Sequence, residues 1–377
     1  MKARWQTKRL GELIKLQYGK PLPDEKRKAD GKYPVYGANG EKDRTDEFYF
    51  DKPTIIVGRK GSAGEINLTE ERFWPLDVTY FVEFDEKELS LKFLYNLLDI
   101  LDLPKLAKGV KPGINRNEVY SIGVKVPPLP EQQCIVAILD EAFAGIATAT
   151  ANAKRNLNNA RELFDAHVQR FFFNTEAGWE EKKLADVVSE LITGPFGSML
   201  HKSDYVDDGI PVVNPQNMIG GKIIPLKKTM VSVQTKDRMA KYCLRENDIV
   251  IARRGEMGRC GIVDKAHAGW LCGTGSMVIR LKVNANVQYI TQLLQASTVR
   301  KRLEGDAIGA AMSNLNQAIL LSVKFRLPPV HTQQAIIAKL DELSTETKKL
   351  EAIYQQKLVA LEELKKSLLQ RAFSGEL

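Results

Sequence analysis

The stretch Asn115–Asn174, opening NRNEVYSIGVKVPPLPEQQCIVAILDEAF, decides how this chain folds, because the chain contains it twice. Sliding the sequence by 201 residues lays it without a gap on 316–375, which opens NQAILLSVKFRLPPVHTQQAIIAKLDELS. Identities fall on Pro127 and Pro128 with Pro328 and Pro329, on Gln132 and Gln133 with Gln333 and Gln334, and on the Leu-Asp-Glu triplets at 139 and 340. A repeat of this length is the signature of a duplicated architecture.

Each Pro-Pro pair ends an alternating apolar run (Ile122, Val124, Val126; Val323, Phe325, Leu327), since proline cannot continue a ladder and holds its predecessor extended. A helix follows. In the second copy apolar positions step by four and three through Ile336, Leu340, Leu343, Thr347, Leu350, Tyr354, Lys357, Leu361, Leu364 and Leu368, which predicts a coiled-coil seam. The first copy places Ile135, Leu139, Ala142, Ile146, Ala149, Ala153, Asn156, Ala160, Leu163 and His167 there. A leucine-rich seam facing an alanine-rich one predicts that each helix takes its sibling as partner. About 40 residues at about 1.5 Å rise give a rod on the order of 60 Å long. Asn156 and Lys357 share one seam position, and polar seam residues set register; the alternative is that both snorkel at the edge.

Outside the helices, the chain of 377 residues, 44% hydrophobic, is long enough for two domains of ordinary size. Its net charge of +8 favours a polyanionic partner. No uninterrupted apolar run reaches the roughly 18 residues that span a bilayer, and Met1-Lys-Ala-Arg-Trp5 is not a secretory signal, so a cytoplasmic location is expected. Cys134, Cys243, Cys260 and Cys272 form no CxxC pair, which predicts reduced thiols and no metal site.

The two halves share a further pattern. Thr54-Ile-Ile-Val-Gly-Arg-Lys-Gly61 and Asp248-Ile-Val-Ile-Ala-Arg-Arg-Gly255 each read as a buried strand running into a glycine turn with two adjacent cations. Such turns let the backbone approach a phosphate while the cations supply charge or base-edge donors; a plain hairpin with solvated cations is the alternative. Arg59, Lys60, Arg253 and Arg254 are therefore candidate DNA contacts. Lys108 and Lys111 extend the set in the first half only, because the matching loop at 309–313 is neutral and small. Asn39, Asn214, Gln216 and Asn217, in turns rich in glycine and proline, are candidates for amide readout of adenine, or else solvated turn amides. Tyr36 reads best as a half-buried core tyrosine.

The order of a globular segment, Pro-Pro-Leu-Pro-Glu-Gln-Gln, a long helix, a second globular segment, Pro-Pro with Gln-Gln, and a helix ending Gln370-Arg-Ala-Phe-Ser-Gly-Glu-Leu377 resembles the specificity subunit of type I restriction-modification enzymes. What the resemblance implies is an α+β fold: two α/β target-recognition domains (1–130 and 175–331) separated and joined by two long helices (131–174 and 332–377) packed as an antiparallel coiled coil, with internal pseudo-twofold duplication. It implies a non-catalytic chain that reads a bipartite, asymmetric site on double-stranded DNA. Two modification (methyltransferase) subunits carrying S-adenosylmethionine would dock on the helices, and restriction subunits using ATP and Mg would join them where present. Leu139, Ile146, Asn156, Leu163, Leu340, Leu350, Lys357 and Leu364 are the seam residues this arrangement would use.

Two other readings compete with this one. An enzyme is disfavoured, because there is no Asn/Asp-Pro-Pro-Tyr/Phe tetrad (Asn214-Pro-Gln-Asn217 lacks the second proline and the aromatic), no glycine-rich cofactor loop after a first strand and no P-loop. A coiled-coil adaptor with two protein-binding heads is the alternative that the paired cationic turns argue against.

Overall fold

A computed structural model describes residues 5–174, 178–197, 199–226, 229–308 and 314–377; the loop expected at 309–313 lies outside them. The chain forms two units, 1–154 with 355–377, and 155–354.

In the first unit the strands are β1 (Gln6–Arg9), β2 (Ile14–Tyr18), β3 (Tyr33–Gly37), β4 (Gly40–Thr45), β5 (Thr54–Gly58), β6 (Ile66–Thr69), β7 (Trp74–Pro75), β8 (Thr79–Phe84) and β9 (Gly123–Val126). Its helices are α1 (Leu10–Leu13), α2 (Leu91–Ile100), α3 (Arg116–Tyr120) and the start of α4 (Leu129–Phe173). An antiparallel sheet of order β2-β8-β5-β6 has β5 buried at every position, and a smaller sheet, β4-β3-β7, lies beside it in sequence. The predicted run before Pro127 is β9, paired antiparallel with β1.

The second unit holds β10 (Glu180–Lys183), β11 (Val188–Thr193), β12 (Tyr205–Val206), β13 (Ile210–Val213), β14 (Met218–Ile219), β15 (Lys222–Ile223), β16 (Met230–Val231), β17 (Ile249–Ala252), β18 (Cys260–Ile262), β19 (Leu271–Cys272), β20 (Ser276–Leu281) and β21 (Lys324–Leu327). Between and after them come α5 (Leu184–Val187), α6 (Val233–Arg238), α7 (Val287–Gln295), α8 (Ser297–Ile308), α9 (Gln317–Leu321) and the first part of α10 (Val330–Ser374), whose end belongs to the first unit. Its main sheet has the order β11-β20-β17-β18, again with a fully buried central strand, and β10 pairs with β21 as β1 does with β9. Side-chain caps start equivalent helices: Asn115 Oδ1 accepts the Asn117 N–H at 2.9 Å, and Asn316 Oδ1 that of Ile319 at 2.9 Å.

The cores explain why both long helices are needed. In the first unit Ile135, Val136 and Leu139, near the start of α4, share a cluster with Phe93, Leu94, Leu369 and Ala372. In the second, Ile336, Ile337 and Leu340, near the start of α10, share one with Val168, Phe172, Tyr289 and Phe325. An 18-residue window of α4 reaches a mean hydropathy of 1.6, long and apolar enough by composition to cross a membrane. Only 17% of that window is buried; α4 gives Ile135, Val136 and Leu139 to the first core and Val168 and Phe172 to the second, and its Asp140 pairs with Lys92 at 2.6 Å.

Burial varies along the positions expected to form the seam. Leu139 and Leu340 are fully buried, and Ile146 and Asn156 half-buried. Leu163 is 62% exposed, Leu350 42% and Leu364 47%, and Lys357 is exposed, so these four lie off the inward stripe. On α4 that stripe passes Ala153, Ala160, Phe164 and Val168, and on α10 it passes Thr347, Glu351, Tyr354, Leu358 and Leu361. A straight helix drifts about 20° per heptad against a strict seven-residue repeat, and a step of four in place of three absorbs the drift.

Candidate nucleic-acid interface

Strand β5 ends in a turn whose Gly61 (φ 83°) and Gly64 (φ 88°) adopt the left-handed region, and β17 ends in its counterpart with Gly255 (φ 73°) and Gly258 (φ 78°). The first cation of each turn is held by its backbone in the same way. Arg59 N–H donates to Val78 O at 2.8 Å and its carbonyl accepts from Ile114 at 3.1 Å; Arg253 N–H donates to Gly275 O at 2.8 Å and its carbonyl accepts from Leu315 at 3.0 Å. Their guanidiniums fold back onto carbonyls, Arg59 through Nε and NH2 onto Asp77 (3.0 and 2.7 Å), Arg253 through Nε onto Leu315 (3.2 Å). Burial, with Arg254 next to it, lowers the pKa of Arg253. The second cation of each turn, Lys60 or Arg254, is exposed, and Arg254 Nε donates to Asn314 Oδ1 at 2.8 Å.

In the first unit the basic loop is tied to this turn. Gly61 N–H donates to Pro112 O at 3.0 Å, and Lys60 and Lys108 both bridge to Gly113. Arg59, Lys60, Lys108 and Lys111 thus come together although some fifty residues separate the two loops. Lys108 is partly neutralised by Glu118 at 2.7 Å, while Lys111 is exposed. Exposed Asn39 sits in the β3–β4 turn; a side chain at Gly58 would press on the carbonyl of its neighbour Ala38, so this turn reaches the same end of β5.

In the second unit the turn 214–217 lies against the Gly273–Gly275 segment that anchors Arg253, because Gly273 N–H donates to Val213 O at 2.9 Å. Gln216 is exposed and Asn214 half-buried. Asn217 is a correction: it is buried, its Oδ1 accepts the Asn214 N–H at 2.9 Å and its Nδ2 donates to Ile224 O at 2.9 Å, so it braces the turn and has no amide edge to offer a base. Tyr36 packs edge-on against Phe73 at 5.8 Å, a half-buried core residue.

Two residues at the first cluster escaped the sequence reading. Tyr18, at the end of β2, and Arg116, directly after the Asn115 cap, stand beside Arg59. The visible signal was that the second copy has Gln317 where the first has Arg116. Among the described residues there is no group of three or more His, Cys, Asp or Glu side chains that could hold a metal ion. Cys134 is exposed, whereas burial pushes the Cys260 and Cys272 thiols up to about 12.

The chain is similar to known proteins over nearly its whole length. Residues 2–158 and 176–359 match the family described as Type I restriction modification DNA specificity domain. The MjaVIII specificity subunit of Methanocaldococcus jannaschii is 24% identical over 99% of this chain and 93% of its own length. The HsdS subunit from Thermoanaerobacter tengcongensis superposes with a TM-score of 0.60 at 18% identity, covering 100% of this chain and 98% of that one. A chain from a study of complex assembly and conformational transition of the type I R-M system reaches 0.77 at 18% identity, covering 100% and 99%. The match spans both units, and with it the chain belongs to the type I restriction-modification specificity subunit family.

Proposed function

We propose that this chain reads DNA for a type I restriction-modification complex and performs no chemistry on it. Residues 1–130 and 175–331 are its two target-recognition domains, each reading one half of a bipartite, asymmetric site on double-stranded DNA. The observation that carries this reading is the pair of cationic turns. Arg59-Lys60 and Arg253-Arg254 hang from the same backbone hydrogen bonds in both units, and each ends in a cation presented to solvent. Held arginines and free cations suit a division of labour in which phosphate contacts give sequence-blind affinity and a few base-edge contacts choose the site. Because loop composition differs between the units, the half-sites differ.

Residues 131–174 and 332–377 are the spacer helices, running antiparallel as a coiled coil of duplicated origin. In support, the opening turns of each helix share a hydrophobic cluster with the closing turns of the other. Their outward faces receive two modification subunits, which bring S-adenosylmethionine and methylate adenine; restriction subunits with ATP and Mg join where present. The assembly works in the cytoplasm on the cell's own and incoming DNA, a host-defence role.

The test is long-read mapping of modified adenines in the host genome with the gene present and deleted. A split motif with a fixed gap that loses methylation on deletion supports the reading. If no motif changes and the purified complex does not bind DNA, the adaptor reading replaces it.

A further inference from the structure

We propose that Tyr18, Arg59 and Arg116 form a seat for a DNA backbone phosphate that only the first unit possesses. This rests on the DNA-reading role proposed above. The guanidinium carbons of Arg59 and Arg116 each lie 5.2 Å from the centroid of the Tyr18 ring. That ring is 46% exposed and backed by the buried ring of Tyr80 at 5.1 Å. Arg59 cannot swing away, since two of its nitrogens are held by the Asp77 carbonyl.

Two cations converging on one tyrosine repel each other, and the cation–π attraction at an exposed ring is modest, about 0.5–1 kcal/mol each. Among the described residues Lys108 has Glu118 as a partner, whereas Arg59, Lys60, Lys111 and Arg116 make no ion pair. A phosphate reached by both guanidiniums would balance their charge, and Arg is the side chain best suited to hold a phosphate through several N–H donors. The arginine already fixed on Asp77 loses little freedom when the anion arrives, so the seat is preorganised.

The second unit keeps Arg253 as the counterpart of Arg59 but has no charge at the positions of Tyr18 and Arg116. Thr193 pairs with Met277 across β11 and β20 as Tyr18 pairs with Tyr80 across β2 and β8. Gln317 follows the Asn316 cap as Arg116 follows Asn115. The Gln317 amide donates to Thr193 Oγ1 at 3.0 Å and to Leu191 O at 3.2 Å, so amide and hydroxyl satisfy one another. Affinity for the DNA backbone is thereby weighted toward the first unit.

The experiment measures binding of the full chain, purified in the complex it forms in its host, to a fluorescent random-sequence DNA duplex of about 30 base pairs between about 50 and 200 mM KCl. One phosphate contact contributes about a threefold change in affinity over that range. Arg116→Gln is expected to lose about threefold less affinity across that salt range than the unsubstituted protein, and Arg116→Lys to lose nearly as much as the unsubstituted protein. Lys87→Gln, which removes an exposed charge elsewhere on the same unit, is expected to match the unsubstituted protein. An unchanged slope in Arg116→Gln, or an equal change in Lys87→Gln, overturns the phosphate seat and leaves DNA reading intact. Absence of salt-dependent binding by the unsubstituted complex overturns DNA reading and the seat with it.

Discussion

The side-chain carbonyl of Gln132 accepts the backbone N–H of Ser90 at 2.9 Å, while its amide donates to Glu88 O at 2.8 Å and Pro127 O at 2.9 Å. Gln333 repeats the arrangement on Asn286 (2.8 Å), Asn284 (3.2 Å) and Pro328 (2.8 Å). Both glutamines are fully buried, and each ties the first turn of a long helix to the segment that starts a domain helix, α2 or α7. Leucine at either position would leave three backbone groups without this partner, one of them in a buried bond, at a cost of about 2–4 kcal/mol. In hydrogen exchange, Gln132→Leu should lower protection of α2 and Gln333→Leu that of α7. Equal effects of either substitution on both helices would show that the tie is not local.

Gly194 follows β11 with its N–H donating to Ser276 O at 2.9 Å, and a Cβ there would overlap the Gly273 carbonyl. Gly61 has open space around it and only its φ of 83° to defend. Gly194→Ala is therefore expected to cost several kcal/mol by displacing backbone, and Gly61→Ala about 1 kcal/mol. Chemical denaturation of the two variants checks the ranking.

These two glycines mark how far sequence reading could go. The Pro-Pro and Gln-Gln pairs announced two helices and their starting points, because proline chemistry and helix periodicity are local properties. The paired cations were visible as adjacent letters, yet nothing local could say that Arg59 is spent on the Asp77 carbonyl while Lys60 remains free. Asn217 failed as a reader because the Ile224 carbonyl reaches it through a fold-back that spacing does not encode. Leu163, Leu350 and Leu364 failed because a seven-residue template carries one register along a whole helix, whereas packing against each domain resets it.

Arg280 spans β20 to the buried carboxylate of Asp248, with Nε to Oδ1 at 3.0 Å, and also meets Glu190 at 2.5 Å and the Cys243 carbonyl at 3.1 Å. Arg280→Met would strand the Asp248 charge and is expected to cost about 3–5 kcal/mol. Adding Asp248→Leu should recover a good part of the loss, since an apolar pair replaces a buried ionic one. A double-mutant cycle by urea denaturation measures the coupling.

The Cys260 and Cys272 thiols, pushed up to about 12 by burial, stay protonated in the folded second unit while those of the unfolded chain ionise near pH 8.5. Above that pH the unfolded state holds fewer protons, so stability falls as pH rises from about 8.5 toward 12, by up to about 1.4 kcal/mol per pH unit for each thiol. Cys272→Ala should flatten this alkaline decline relative to the unsubstituted protein. The comparison is of denaturation midpoints at about pH 7.5 and pH 10.

Arg254 and Asn217 lie on neighbouring turns but should separate cleanly in function. Arg254→Gln removes an exposed cation, so it should leave thermal stability within about 0.5 kcal/mol and reduce the salt slope of DNA binding by about 1. Asn217→Ala removes two buried hydrogen bonds and should cost about 1–3 kcal/mol of stability while leaving the salt slope unchanged. Thermal unfolding alongside a salt-titrated binding curve distinguishes the two roles.

The core of the first unit is closed by Leu369 and Ala372, whereas the second unit is drawn from the continuous segment 155–354. On the ribosome this inverts the order of completion. The second unit has all its residues before the first can finish, and the earlier-made domain must wait, with the Phe93 and Leu139 surface unsealed, for residues synthesised long afterwards. A stop codon near position 355 would therefore injure the domain encoded at the opposite end of the gene. The wait also gives chaperones a defined apolar surface to hold during translation.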